Sequence, residues 1–449
     1  MARADLNSAV AAQVSAADSS AQALMQSLGL SQSTIGRSLR DLERQGLIVR
    51  MGTTRGARYA LARPITDIGF KWPLYRIDAG AAIHELGTIV ALRGHRFFCS
   101  SDSKRLRGHF TEAPYYLQDA WPAGFMGRAI PGQFPELGLP ARVADWTEEQ
   151  FFIYLVRRGT YSVGDLVLGT ESLDRFLASV DAPPIIAETE RARAYPELAD
   201  QAMQGRARGS SALGEHPKFA VCISRADAFT QMIVKFSPPR SSTTGQRWAD
   251  LLRAEFHAHR ILEAHGFAAC RSRLLEAGDR VFLECERFDR VGRQGRRGVV
   301  SLLALDTARY GQLDSWTACA DRLLRDALLS SEAARHIRFL DVFGAFIANT
   351  DRHFGNITLF DEYEGPFKLA PAYDMLPMLF APLNDQNVQR RFEPPTSRAA
   401  WLSVWAEART LAEQYWDLLH TERSLSDEFR HLCRESLTAM RTASEPGSA

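Results

Sequence analysis

Asn349-Thr-Asp351-Arg352-His353-Phe-Gly355-Asn356-Ile-Thr-Leu-Phe360 is the stretch that decides how this 449-residue chain is read. Asp351 and Asn356 stand five positions apart. In phosphoryl transfer that D-x-x-x-x-N spacing lets a carboxylate accept a hydroxyl proton while an amide oxygen holds a metal ion. Asn356 opens a short strand, Ile357 to Phe360; a turn covers Asp361 to Pro366, and a return strand, Phe367 to Pro371, leads to Asp374. If the strands pair, Asn356 and Asp374 meet at the open end of one hairpin. Two oxygen-bearing side chains there suit Mg²⁺, which takes one or two protein ligands and completes its shell with water and phosphate. A solvated loop or a turn aspartate accounts for either segment alone. The two together, in order and at hairpin spacing, point to a site.

Upstream, Ser210-Ser211-Ala-Leu-Gly214-Glu-His-Pro-Lys218 precedes a strand-like run, Lys218 to Ile223. Small residues before a strand form loops whose backbone N–H groups approach phosphate, although a segment with one glycine also reads as any flexible turn. The next strand, Gln231 to Phe236, contains Met232-Ile-Val-Lys235-Phe. A lysine ending an apolar strand is costly unless it pairs or snorkels. Glu255, on the helix predicted over Arg247 to Gly266, is the available partner. An edge-strand lysine in solvent explains Lys235 alone; the order loop, strand lysine, helix glutamate, strand, catalytic loop, metal aspartate explains the set.

These residues resemble the HipA family of serine/threonine kinases, the toxin members of bacterial toxin–antitoxin pairs. The likeness runs from about Ser210 to Met378. It rests on the phosphate-loop segment, Ile-Val-Lys235, Glu286-Arg-Phe288-Asp-Arg290, the Asn349–Asn356 loop and Pro371-Ala-Tyr-Asp374-Met. A DNA-binding domain fused ahead of such a kinase is most similar to the YjjJ-type subgroup. The resemblance implies an α+β protein: a winged helix-turn-helix over 1–64, then a bilobal kinase fold. Its mixed α/β N-terminal lobe would span 65–290 and its mostly helical C-terminal lobe 291–441, with a tail at 442–449. It also implies roles. Asp351 would be the catalytic base, and His353 would approach the γ-phosphate. Asn356 and Asp374 would hold Mg²⁺. Lys235, with Glu255, and Gly214 would serve the nucleotide phosphates. Glu286 and Phe288 match the linker between lobes that holds adenine. Ser211, or its neighbour Ser210, matches the serine whose autophosphorylation ejects the loop and switches the enzyme off. The cofactors would be ATP and Mg²⁺, and the target a translation component such as an aminoacyl-tRNA synthetase. Asp374 is followed by Met-Leu rather than Phe-Gly, so the ordinary protein-kinase activation switch is not implied. Arg352 is larger than the residue some relatives carry. DNA binding stands in cis here rather than on a separate antitoxin.

Residues 1 to about 63 read as a module of their own: helices over 4–17 and 19–28, a third from Gln32 to Arg44 with Ser31 as N-cap, then a hairpin over Leu47–Leu61. Ile35, Leu39 and Leu42 form one buried stripe. The module holds eight arginines and four acidic residues, against a net charge of +1 for the chain. Gln32, Ser33, Arg37 and Arg40 lie away from the stripe, and Gln and Arg can pair with base edges in a major groove. Arg55 and Arg58, in the wing, suit phosphate or the minor groove. Double-stranded DNA is therefore the partner expected for this module. A protein-binding or dimerising role, with a second copy of the chain as partner, is the alternative.

Between these parts, Tyr75 to Cys99 suggests strands, Thr147 to Arg158 a helix, and Pro183 to Arg208 a charged, irregular segment. After Arg287 the chain reads as mostly helical, interrupted over Asn349–Met375. A composition of 45% hydrophobic and 24% charged residues excludes a disordered or fibrous chain. The six cysteines form no C-x-x-C pair, which fits buried thiols in a reducing cytosol. With no secretory pattern at the start and no run of apolar residues long enough to span a bilayer, a cytoplasmic protein without membrane association is expected. A different class of reading keeps the fold without chemistry: a DNA-binding transcription regulator whose kinase-like domain senses nucleotide. The intact Lys235/Asp351/Asn356/Asp374 set argues against it. A lipid or small-molecule kinase ranks lower, for want of a membrane-facing amphipathic segment.

Overall fold

The computed structural model describes residues 3–16, 18–52, 56–206 and 214–443. One five-stranded sheet carries the residues of interest, in the order Ser272–Ala277, Arg280–Glu286, Ala228–Phe236, Lys218–Arg225, Ile185–Ala187. Its pairs are antiparallel except the last, which is parallel. Strand alternation sorts the side chains between two faces. Phe219, Val221, Val234, Phe236 and Phe282 lie on one face, buried under Tyr195, Ala199 and Ala202 of helix Arg191–Met203. Leu283 and Cys285 lie on the other, against Ala249 and Leu252 of the long helix Gly245–Ala264. Lys218 and Lys235 share this second face, directly opposite one another in register. Lys235 therefore stands on a central strand and not at an edge.

The covering helix corrects the expectation of an irregular segment from Pro183 to Arg208. Strand Ile185–Ala187 and helix Arg191–Met203 occupy most of it. The apolar contribution is a narrow stripe at i, i+4, i+7 within a charged surface, and Pro196 removes a backbone donor inside the helix. Composition therefore hid a helix that tertiary packing stabilises. The region after Arg287 also holds more strand than its sequence suggests. Val299–Ser301 pairs with Thr358–Phe360, which pairs with Lys368–Leu369. Helices Trp316–Arg325, Ser331–Phe346, Leu402–Thr421 and Asp427–Thr442 pack beside this small sheet into the largest apolar core.

That core is shared with residues 65–177. Here five antiparallel strands run in the order Gly108–Phe110, Arg96–Ser101, Ile83–Leu92, Lys71–Ile77, Leu166–Leu168. Helix Glu148–Arg158 starts at a capping box formed by Thr147 and Gln150. Arg105 pairs with Asp361 at 2.6 Å across to the small sheet.

At the N-terminus, helices Arg3–Ala16, Ala21–Leu28 and Gln32–Arg44 precede a hairpin, Ile48–Met51 with Arg58–Leu61. The Ser31 side chain accepts from the Thr34 N–H, and Ile35, Leu39 and Leu42 are buried. Ser19–Ser20 forms a short strand on the hairpin rather than a helical turn, and Ser20 caps the second helix. This part is tied to the middle sheet. Met51 and Ala60 pack on Val90, Leu92 and Phe98, and Arg96 grips Asp18 through bonds of 2.7 and 2.9 Å. No helix among the described residues is long and apolar enough to cross a membrane.

Candidate active site

Lys235 is the centre of a buried three-charge network. Its Nζ lies 2.5 Å from Glu255 Oε1 and also pairs with Asp374 Oδ1. The Asp374 N–H donates to the same Glu255 oxygen at 3.3 Å. The strand lysine, helix glutamate and hairpin aspartate that the sequence set apart by up to 139 positions therefore meet at one point. Burial disfavours the charged form of Lys235, but Asp374 and Glu255 on either side hold its ammonium well above the usual lysine range. Burial likewise opposes ionisation of Asp374, yet Lys235 and Lys218 hold its carboxyl at about 2. Asp374 takes a φ of 54°, a left-handed conformation uncommon for a non-glycine residue and concentrated at functional sites.

The network forms one wall of a cleft lined by Lys218, Ile233, Lys235, Cys285, Asn356 and Asp374, among others. Glu286 and Phe288 lie at its other end, with Phe288 packed against Tyr373 and Phe360. The Asn356 Nδ2 donates to the Asp351 carbonyl at 2.8 Å, so the amide nitrogen is engaged inside the loop and its oxygen is the atom that suits a cation. Asn356 and Asp374 are both on the cleft wall, as the hairpin spacing requires.

Asp351 and His353 do not line the cleft wall. Asp351 stands exposed on its loop. Although the residue is exposed, partial desolvation of its carboxyl by the surrounding loop raises its pKa; His353 and Lys218 counter this and Asp374 adds to it. The His353 ring is turned into its own loop, where Nδ1 accepts the Gly355 N–H at 3.1 Å and caps a short helical turn. Arg352 points away from the cleft: it reaches the Asn349 carbonyl and the Asp341 carboxylate. Gly344 makes room for it, since a side chain there would meet Arg352 Cδ at 2.6 Å.

Four residues at the site were not singled out from the sequence. Asn349, fully buried, donates to the Asp374 carbonyl at 3.1 Å and accepts the Asp351 N–H at 3.0 Å, bracing the loop against the hairpin. Its place in the quoted stretch was a signal. Lys218, one of only five lysines in the chain, was a second. Asp119 and Val163 reach the cleft from the middle sheet domain, and nothing local in the sequence marks them. Asp119 accepts both the N–H and the hydroxyl of Ser301 at 2.6 Å. Gly214 lies at the edge of the cleft, where a side chain would come within 2.8 Å of Lys218 Nζ. Ser210 and Ser211 lie outside the described residues, as does Arg55.

On the N-terminal module Gln32, Ser33, Arg37 and Arg40 are all exposed on the third helix. Arg58 is exposed as well, with its guanidinium on the Asp18 carbonyl at 2.7 Å.

Comparison with known proteins places the chain in a family. The family model described as "YjjJ-like toxin, middle domain" matches residues 68–177, and the "HipA-like C-terminal domain" matches 210–443. Toxin YjjJ of Escherichia coli K12 is 34% identical over 436 residues, covering 95% of this chain and 96% of its own length. The chain belongs to the YjjJ-like toxin family. Among solved structures, the HipA of Shewanella oneidensis MR-1, determined with HipB and operator DNA, aligns at a TM-score of 0.51 with 14% identity. The alignment covers 82% of this chain and 96% of that one. At that identity the likeness extends the HipA-like fold of the family beyond the C-terminal domain and carries no more. In this YjjJ-like chain, Asp119 and Val163 show the middle domain to be part of the cleft wall.

Proposed function

We propose that this chain is an ATP- and Mg²⁺-dependent protein serine/threonine kinase of the HipA toxin type. The observation that carries the proposal is the Lys235–Glu255–Asp374 network set on the wall of a cleft that also holds Asn356. A buried lysine between two carboxylates has its charge fixed and its direction set, which is what a phosphate contact requires. Asn356 and Asp374 are the residues that would hold Mg²⁺. Their fit rests on donor chemistry, one ionised carboxylate and one amide oxygen at neighbouring strand ends, and on nearby polar atoms without partners. The buried Glu255 Oε2 and His216 Nε2 have no hydrogen-bond partner among the described residues. Bound there, Mg²⁺ supplies neutralisation of phosphate charge.

In this reading Lys235 orients the nucleotide phosphates and Glu255 holds Lys235 in place. Glu286 and Phe288 border the adenine, and Asp351 accepts the hydroxyl proton of the substrate. Asn349 keeps Asp351 and Asp374 in one frame. His353 serves the γ-phosphate once its ring leaves the Gly355 N–H. Gly214 closes the phosphate loop, and Ser211 or Ser210 is its autophosphorylation site. The lobes divide near residue 290, and the protein target is a translation component. Residues 1–64 act as a winged helix-turn-helix on double-stranded DNA through Gln32, Ser33, Arg37, Arg40, Arg55 and Arg58.

Calorimetric titration with Mg-ATP tests the site. Asp374→Asn keeps the shape and removes the charge, and is expected to weaken binding by roughly tenfold or more, on the scale of a charged contact. Unchanged affinity would move the metal site elsewhere. For the N-terminal module, affinity for duplex DNA is expected to fall steeply with added salt and to fall further in Arg37→Ala/Arg40→Ala.

A further inference from the structure

We infer that Asp119 is the ribose-recognition residue of the cleft, its carboxylate accepting hydrogen bonds from the sugar hydroxyls of the nucleotide; the inference rests on the kinase reading above. Among the described residues four carboxylates line the cleft: Asp119, Glu286, Asp289 and Asp374. Three of them have another task. Asp374 is bound to Lys235. Asp289 is held by Arg287 and by Arg290, each at 2.7 Å. Glu286 stands beside Phe288 at the end assigned to adenine, 4.0 Å from Arg271. Asp119 pairs with no cation among the described residues. Ser301 alone favours its ionised form, against burial that opposes it. A carboxylate removed from water calls for a full set of hydrogen-bond donors. The Ser301 N–H takes one site on Oδ2 and the Ser301 hydroxyl one on Oδ1, both at 2.6 Å. A carboxylate offers about four lone-pair sites, so each oxygen keeps one for a donor in the cleft.

Strand register shows where that donor comes from. Asn356, assigned to the metal, precedes Thr358 by two residues, and Phe360 follows Thr358 by two. Phe360 packs on Phe288 at the adenine end. Thr358 therefore lies midway between the phosphate end and the adenine end. Ser301 is directly opposite Thr358 in the antiparallel ladder, where paired Cβ atoms stand about 5 Å apart. Ser301, Asn356 and Thr358 all line the cleft, and the Thr358 hydroxyl is engaged with that of Tyr373 at 2.7 Å. Asp119, clasping Ser301, thus stands beside the middle of a nucleotide laid along the cleft. In a nucleoside triphosphate the middle is the sugar, whose two hydroxyls are donors. Phosphates carry no donor and repel a carboxylate, and the adenine amine belongs to the Glu286 and Phe288 end. Asp119 is brought there by the middle domain. It follows the short helix Tyr115–Gln118, whose Tyr115, Tyr116 and Leu117 are buried in the shared apolar core.

The experiment compares the affinities of the full chain for Mg-ATP and Mg-2′,3′-dideoxy-ATP by calorimetry in wild type, Asp119→Asn and Asp119→Leu, with thermal melting of each. A hydrogen bond from the sugar to a carboxylate predicts that wild type binds ATP about tenfold or more tighter than the dideoxy nucleotide. Asp119→Leu should lose that preference, binding the two nucleotides within about twofold of one another. Its loss should fall on ATP and spare the dideoxy form. Asp119→Asn keeps the shape and one acceptor oxygen, and should show a preference between the two. A role confined to holding Ser301 would instead weaken both nucleotides equally. Equal binding of the two nucleotides by wild type, or the wild-type preference persisting in every variant that folds, would overturn the inference. Wild-type binding of Mg-ATP in either case leaves the kinase reading standing. A wild type that binds neither nucleotide would overturn both.

Discussion

Lys235 owes its state to the two carboxylates beside it, and each member of the set depends on the others. Removing one partner of a buried ion pair leaves an uncompensated charge, at a cost of about 3–5 kcal/mol. Glu255→Ala is therefore expected to lower unfolding stability by about 3 kcal/mol and to weaken ATP binding with it, which denaturant unfolding and calorimetry would measure together. Glu255→Gln, able to accept from Lys235 through its amide oxygen, should lose less stability. Equal stability of Glu255→Ala and wild type would mean that Lys235 finds its charge balance elsewhere. Asp351 differs in kind: it is exposed, off the cleft wall, and braced through its backbone by Asn349 and Asn356. Asp351→Asn should leave ATP affinity within about twofold while phosphate transfer falls by about a thousandfold or more, as loss of a general base and its orientation allows. Parallel loss of binding and transfer would assign Asp351 to nucleotide binding instead.

At the scale of elements, the hairpin Thr358–Phe360 with Lys368–Leu369 was legible because Asp351, Asn356 and Asp374 sit close together in the chain, within the reach of local pairing. The Lys235–Glu255 pair was legible through order, since strand and helix follow one another directly. The helix Arg191–Met203 was not, because three small or aromatic residues on a charged surface give too narrow a stripe and Pro196 interrupts it. Lys218 was passed over although its rarity marked it: the register that sets it opposite Lys235 is a property of the pair of strands. Asp119, Val163 and Gly124 could not be read at all, since their proximity to the site comes from packing between segments far apart in sequence. Gly124 makes a testable contact of that kind. At φ +62° its position would bring a side chain to 2.5 Å from the Gly214 carbonyl oxygen, while the Phe125 N–H donates to that same oxygen at 3.0 Å. Gly124→Ala is strained and displaces Gly214, so it should raise the KM for ATP several-fold with a smaller change in melting temperature. An unchanged KM would show that the middle domain does not position the phosphate side of the cleft.

Across the whole molecule, the middle domain is joined to the C-terminal helices by one apolar core and by buried charges that respond to pH. Asp165 is the clearest. Burial pushes its carboxyl up to about 6, against hydrogen bonds from Tyr363 and Arg76 that favour ionisation. Its folded value exceeds the unfolded one of roughly 3.9, so the folded state binds the extra proton between them and stability falls as pH rises through that window. Relative to Asp165→Asn, the wild type should lose on the order of 2–3 kcal/mol between about pH 4 and about pH 7, and no more above that. A pH-independent difference in urea unfolding would contradict this. The N-terminal module is likewise fastened to the middle sheet, through the Met51/Ala60 cluster and Arg96–Asp18. Whether the chain transfers phosphate is tested most directly by intact-mass spectrometry of the purified chain before and after incubation with Mg-ATP, beside Asp351→Ala. Phosphate should be gained by the wild type alone and map to Ser211 or Ser210. An equal gain in the variant, or no gain by an initially unphosphorylated wild type with no phosphate released from Mg-ATP, would contradict a kinase built on Lys235, Asp351, Asn356 and Asp374.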